Sequence, residues 1–155
     1  DLVTEQILVA AGERLSIKQQ DVTLRGHAIE CRITAESAED DFQPRFGTVS
    51  EYLAPGGPGV RVESHLYAGY TVPVYYDSLL AKLLTWGRDR AEAIARMERA
   101  LAEFRIEGVT TLIPFQRRIM ADPNFRSGAI HTRYLETMPA TDRAREAAGA
   151  AEIRE

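Results

Sequence analysis

The chain has 155 residues, a formal charge of -4 and 45% apolar residues, enough for one domain with a core of its own. That balance, with no basic run interleaved with aromatics, points away from nucleic acid, and no apolar run approaches the length of a membrane span. The single cysteine, Cys31, can form no internal disulfide, which fits a reducing compartment and a cytoplasmic location. The sequence opens on Asp1, without the basic start of a signal peptide, in a helical pattern with nothing before it to pack on. We read this as a cut inside a larger protein; a domain whose first residues were left out is the alternative.

Residues 2 to 11 place Leu2, Val3, Ile7, Val9 and Ala10 within reach of one helical face, with Asp1 as cap and Gly12 just past the end. From Val22 the period becomes two, and Ile29, Cys31 and Ile33 alternate with Glu30, Arg32 and Thr34. This predicts a strand, with a bulge or close backbone approach at Gly26. Residues 35 to 46 read as a surface loop. Thr48 to Leu53 predicts a second strand. After the turn Pro55-Gly56-Gly57-Pro58-Gly59, Val60 to His65 predicts a third, with Arg61, Glu63 and His65 on one side. Tyr70 to Tyr76 reads as an edge or bent strand around Pro73. Asp77-Ser78 predicts a cap on a short helical turn through Ala81, and Leu83 to Trp86 another strand.

The clearest helix starts at Asp89, with Glu92 three residues on as in a capping box, and its stripe is Ile94, Met97, Leu101 and Phe104. Gly108 ends that unit. Thr110 or Thr111 is expected to cap a helix through Met120, Asp122-Pro123-Asn124 to form a turn, and Thr132 to Met138 a short helix. Residues 139 to 155 carry almost no large apolar side chain and read as a linker or frayed helical tail. The pattern predicts an α+β fold, a small antiparallel sheet flanked by helices.

No Walker loop, dinucleotide fingerprint or nucleophile elbow is present, and His27, His65 and His131 lack ligand-like spacing. The glycine turn could cradle an anion through backbone N–H groups, but no helix N-terminus follows it, so a tight strand connection is the favoured reading. Arg61 and Glu63 read from spacing as a cross-strand ion pair on a solvated face. Arg61 also starts a strand directly after the turn, where a planar guanidinium can be held and aimed at an oxyanion. Tyr75, Tyr76, Asp77, Ser78 and Lys82 form a dense polar cluster. It suits either a substrate anion or, as favoured, a helix cap with half-buried tyrosines.

Three segments together resemble the C-terminal domain of biotin carboxylase: Arg25 to Ile33; Pro55-Gly56-Gly57 with Gly59-Val60-Arg61; and Tyr75-Tyr76-Asp77-Ser78-Leu79-Leu80-Ala81-Lys82-Leu83. The helix from Arg90 to Phe104 and the segment Gly108 to Thr111 fit as well. The resemblance runs from Asp1 to about Glu136. It implies residues 1 to 20 as the tail end of a preceding ATP-grasp domain, 21 to 138 as the domain itself and 139 to 155 as the linker.

The implied reaction consumes ATP and bicarbonate to carboxylate N1′ of biotin held on a carrier protein. In the family the ATP lid, the Mg²⁺-binding glutamates and the catalytic base precede the equivalent of Asp1, so this chain alone is expected to bind no cofactor and to be inactive. Arg61 matches the family arginine that contacts bicarbonate and the ureido oxygen of biotin. Loss of the N1′ proton puts charge on that oxygen, which a fixed guanidinium stabilises. Glu107 matches a position where the family often has an acidic residue near the biotin pocket. Thr132 and Arg133 fall near positions that close over adenine, although neither is the usual residue type, so adenine contact stays open. Trp86 lies in a segment used in dimer contacts and could equally be core. The implied partners are a biotin carboxyl carrier protein or domain, a carboxyltransferase and a second copy of the chain. The implied setting is acetyl-CoA carboxylase and fatty acid biosynthesis, with related propionyl-CoA and pyruvate carboxylases. A non-catalytic dimerisation or carrier-docking module, and the C-terminal domain of another ATP-grasp ligase, are the alternatives.

Overall fold

A computed structural model describes residues 1–138. In chain order the elements are α1 (Leu2–Ala10), β1 (His27–Thr34), β2 (Glu36–Ser37), β3 (Gln43–Pro44), β4 (Glu51–Leu53), β5 (Val60–Ser64), β6 (Leu79–Gly87), α2 (Arg90–Glu103), β7 (Arg105–Glu107), α3 (Ile113–Ala121) and α4 (Pro123–Ser127). The expected α+β class, a small antiparallel sheet flanked by helices, is what forms.

The main sheet has the order β1-β6-β5, antiparallel throughout. Its register sets Ile29 and Val60 against Thr85, Cys31 and Val62 against Leu83, and Ile33 and Ser64 against Ala81. Because side chains alternate across a strand, these residues share one face. Ile33 and Leu83 on it are fully buried. The opposite face carries Ala28, Glu30, Arg32, Lys82, Trp86, Arg61 and Glu63, all exposed, and half-buried Leu84.

Helix α2 covers the buried face. Asp89 caps it by accepting from the Glu92 N–H (2.8 Å). Glu92 reaches back to the N–H of Arg88 (2.7 Å) rather than to the cap itself. Ala93, Ile94, Met97, Ala100 and Leu101 are buried, each large side chain among them stabilising by about 1.5–3 kcal/mol. The buried Thr85 hydroxyl donates to Ala93 O (3.0 Å), so the sheet's polar intrusion is satisfied. Helix α3 packs beside α2, and its Gln116 amide donates to Arg32 O on the free edge of β1.

Several elements differ from the sequence expectation. Strand β1 starts at His27, not Val22; Val22 and Leu24 lie outside it and are exposed, with no neighbouring strand to pair. The close approach at Gly26 is real. Its φ is +73°, and a Cβ there would stand 2.3 Å from Gly87 O. The 35–46 loop contains the short β2–β3 pair and a 3₁₀ turn at Ala38–Asp40. The second strand is only Glu51–Leu53, and Thr48 forms an isolated bridge with Thr71, the sole pairing in the expected 70–76 strand.

The helical turn expected after Asp77-Ser78 is instead the start of the nine-residue β6. Asp77 accepts from the Leu79 N–H (2.8 Å), the same local chemistry that caps a helix, followed by a strand. Strand β7 follows α2 unanticipated and pairs with β4. Helix α3 begins at Ile113 with Leu112 at its cap position and no side-chain cap, so neither Thr110 nor Thr111 serves. Asp122 does not merely turn: it caps α4, accepting from Asn124 and Phe125 N–H groups. The last expected helix is a 3₁₀ turn, Tyr134–Thr137. The proposed tail, 139–155, lies outside the described residues.

Helix α1 forms as expected, with Asp1 accepting from Val3 and Thr4. It buries none of its residues, and the first buried residue of the chain is Ile29.

Candidate functional site

Arg61 is the second residue of β5, directly after the glycine turn. The turn is a tight connection, as favoured from sequence. Gly59 sits at φ +74° and its carbonyl accepts from Trp86 N (2.9 Å), while Gly57 O accepts from Val60 N (3.2 Å). One arginine of α2 holds it from outside and a second holds the facing strand β6. Arg99 donates from both terminal nitrogens to Gly56 O (3.3 Å each). Arg96 donates to Trp86 O and is itself held by Glu92 (2.8 Å). The turn is thus anchored at Gly56 by Arg99 and at Gly59 by β6, and Arg61 follows it on the strand. Neither contact was foreseen, because the α2 arginines look like any solvated helix face and only the packing aims them at the turn and at β6.

Arg61 Nε lies 3.1 Å from Glu63 Oε1, with the two side chains 68% and 60% exposed. The sequence reading of a cross-strand pair needs correction: both residues belong to β5, two apart on one face. Arg61 faces Leu84 across the sheet, and Glu63 faces Lys82, beyond which stands Arg32. Arg61 also lines a cavity of about 310 Å³ with the apolar Ala28, Val60, Leu84 and Trp86. A slot of apolar walls with one guanidinium suits a ligand that is apolar in body and carries one oxyanion. Trp86 is neither core nor free: it is 45% exposed, and its indole N–H donates to Arg25 O (3.1 Å).

The other sequence-derived positions do not gather around Arg61. Glu107 is exposed on β7, opposite Glu51 in the second sheet, and no ion pair joins it to Arg61. His65 falls just past β5 and packs edge-on against Tyr70 (5.0 Å between rings). His27 meets Arg90 (3.0 Å), and His131 accepts from Arg133 N (3.2 Å). Among the described residues no three His, Cys, Asp or Glu side chains converge as metal ligands would.

The Tyr75-to-Lys82 cluster disperses. Ser78 donates to Glu36, Asp77 lies 3.9 Å from Arg32, and Lys82 points from the outer sheet face. Tyr75 and Tyr76 are exposed rather than half-buried as expected, because the segment before β6 leaves the sheet instead of forming a helix.

Thr132 lines a second cavity, of about 390 Å³, with Cys31, Gln116, Met120 and Phe125. Arg133 is turned to Glu136 (2.7 Å). Gln116 Oε1 is buried there with no hydrogen-bond partner among the described residues. Burial pushes the Cys31 thiol up to about 12, with the nearby Glu30 carboxylate adding to the shift, so it is inert as a nucleophile.

These features define the class: an α+β domain whose sheet buries one face under a helix and offers the other, with one rigidly rooted arginine beside an apolar slot. Residues 30–137 match the sequence profile of the biotin carboxylase C-terminal domain. The chain is 55% identical over 138 residues to the biotin carboxylase of Nostoc sp., spanning 89% of this chain and 31% of that protein. It is 54% identical over 137 residues to biotin carboxylase 1 of Bacillus subtilis, spanning 88% and 30%. Among solved structures it is similar to the biotin carboxylase domain dimer of Hydrogenobacter thermophilus 2-oxoglutarate carboxylase, in complex with MgADP, ADP and bicarbonate. The TM-score there is 0.83 at 48% identity, over 88% of this chain and 30% of that one. The chain belongs to the biotin carboxylase C-terminal domain family. It spans under a third of the length of these relatives.

Proposed function

We propose that the chain is the C-terminal part of a biotin carboxylase, which uses ATP and bicarbonate to carboxylate biotin on a carrier protein. The observation that carries this reading is Arg61: a guanidinium rooted on a clamped turn, exposed, and beside an apolar slot. Biotin, when bound, supplies the ureido nitrogen that accepts the carboxyl group. The donor set fits it, since Arg61 offers N–H groups to a ureido oxygen or to bicarbonate and the slot offers apolar walls. As negative charge grows on that oxygen, the Arg61 guanidinium stabilises it, and the rooted backbone keeps the side chain beside the slot.

ATP, Mg²⁺ and the base belong, on this reading, to the part of the relatives' length that the chain does not span. The N-terminal stretch supports this. Leu2, Ile7, Leu15 and Leu24 are exposed, as expected of an arm that packs on a preceding domain. Trp86, half exposed beside the slot, is proposed for contacts with a second copy, and Glu107 for the biotin side of the site. A cytoplasmic enzyme serving a carboxyltransferase, as in acetyl-CoA carboxylase, completes the proposal. No helix among the described residues is long and apolar enough to cross a membrane.

The test is Arg61→Ala in the full-length enzyme. Removing one oxyanion donor is expected to lower biotin carboxylation by roughly 10²-fold or more, with the thermal midpoint unchanged. Near-normal turnover would remove Arg61 from the chemistry and leave a docking or dimerisation module.

A further inference from the structure

We propose that Glu63 is a positioning residue for Arg61, holding the Nε side of its guanidinium so that the terminal amino groups face the ligand. The inference rests on the proposed role of Arg61. An arginine on an open sheet face has four side-chain torsions and nothing to hold them; a rooted backbone does not fix where the guanidinium points. The geometry supplies the missing restraint. Glu63 Oε1 stands 3.1 Å from Arg61 Nε, on the same strand and the same face. Lys82 lies directly across from Glu63 on β6, yet the carboxylate's ion pair is with Arg61.

The remaining surroundings leave the far side of the guanidinium open. Across the sheet from Arg61 is Leu84, whose side chain offers no acceptor, and beyond it Glu30, with which Arg61 forms no ion pair among the described residues. Among the described residues no hydrogen bond engages either terminal nitrogen of Arg61, and its ion pair is with Glu63 through Nε. Lys82 across the sheet from Glu63, and Arg32 beyond it, are cations on the same face that partly offset the charge of the carboxylate. A carboxylate seated at Nε therefore orients the fork without occupying it. Because both partners are mostly exposed, the pair contributes little to folding, so its loss is a test of function rather than of the fold.

The experiment uses the full-length enzyme with biotin carboxylation as readout, in a cycle of Glu63→Ala, Arg61→Ala and the double variant, with Glu63→Gln alongside. Glu63→Ala is expected to lower kcat about tenfold, with KM for ATP and the thermal midpoint unchanged. Glu63→Gln, which keeps an oxygen at the same reach, should fall between it and the parent. In the Arg61→Ala background Glu63→Ala should cost nothing further, since there is no guanidinium left to aim. An unchanged kcat in Glu63→Ala, or the same loss with and without Arg61, overturns the inference. If Arg61→Ala itself leaves turnover intact, the proposed role of Arg61 fails first and is identified as the failing step.

Discussion

Gly59→Ala puts the rigidity of the turn before Arg61 to a quantitative test. Gly59 holds φ +74°, where an L side chain costs roughly 1–2 kcal/mol. Its new methyl carbon would stand 2.3 Å from Arg96 Nη1 and 2.6 Å from Trp86 O. Arg96 is the far end of a flexible chain and can swing away; Trp86 O is backbone in the central strand and cannot. Relief must come from the turn, at the expense of the 2.9 Å bond from Trp86 N to Gly59 O, worth about 0.5–1.5 kcal/mol. The stiffer unfolded chain of the alanine variant offsets about 0.4–1 kcal/mol. The net expectation is a destabilisation of about 0.5–3 kcal/mol, centred near 2. Urea unfolding of the chain, followed by the fluorescence of its single tryptophan, reads this directly. Gly56→Ala is the control: a Cβ there meets nothing within 4 Å, and the change should stay within about 0.5 kcal/mol. If Gly59→Ala is as mild as Gly56→Ala, the turn is not the fixed root that the Arg61 argument requires.

The folded Cys31 thiol is held up to about 12, so it stays protonated while an unfolded thiol ionises near its usual value of 9.0. Its contribution is therefore complete below pH 9 and lost as pH rises towards 12, at up to about 1.4 kcal/mol per pH unit. The stability difference between the parent and Cys31→Ala should shrink over that window in chemical denaturation; a difference constant with pH would mean that the thiol is not sheltered. Calorimetry on the 155-residue chain should find ATP binding no tighter than about millimolar. A micromolar affinity would place a nucleotide site within this domain.

What could be read from the sequence follows the range of the interactions involved. The alternation of Ile29, Cys31 and Ile33 and the α2 stripe are local periodicities, and both faces came out as the pattern implies. Asp77-Ser78 misled because an aspartate accepting a bond from the N–H two residues on opens a strand as readily as a helix. Strand β7 is three residues long and exists only through its partner β4, more than fifty residues earlier, so no window of sequence contains its signal. At the site, Arg61 was visible but its surroundings were not. Leu84 and Trp86 come beside it through sheet register, and Arg96 and Arg99 reach β6 and the turn through helix packing, which are non-local. Gln116, whose buried oxygen has no partner among the described residues, left no trace in the pattern at all.

The two faces of the sheet explain where function settles. A buried face must be filled, and here α2 fills it, which leaves no room for a reacting group. The outer face of an antiparallel sheet is normally polar and solvated. Here Glu63, Lys82, Arg32 and Glu30 keep much of it polar; directly beside Arg61 the floor is Leu84, Trp86 and Ala28, an apolar patch that water alone does not favour. A cation beside such a floor is a weak stabiliser of the isolated fold, since its exposed ion pair is worth about 0–1 kcal/mol. The same cation becomes strong once a second surface excludes water over it, because the effective dielectric falls and each charge interaction grows. On the proposed reading that surface arrives with the rest of the enzyme and its biotin. Arg61 is then inert in the free domain and effective in the closed one, so loss of Arg61 should show in turnover and not in the stability of the chain.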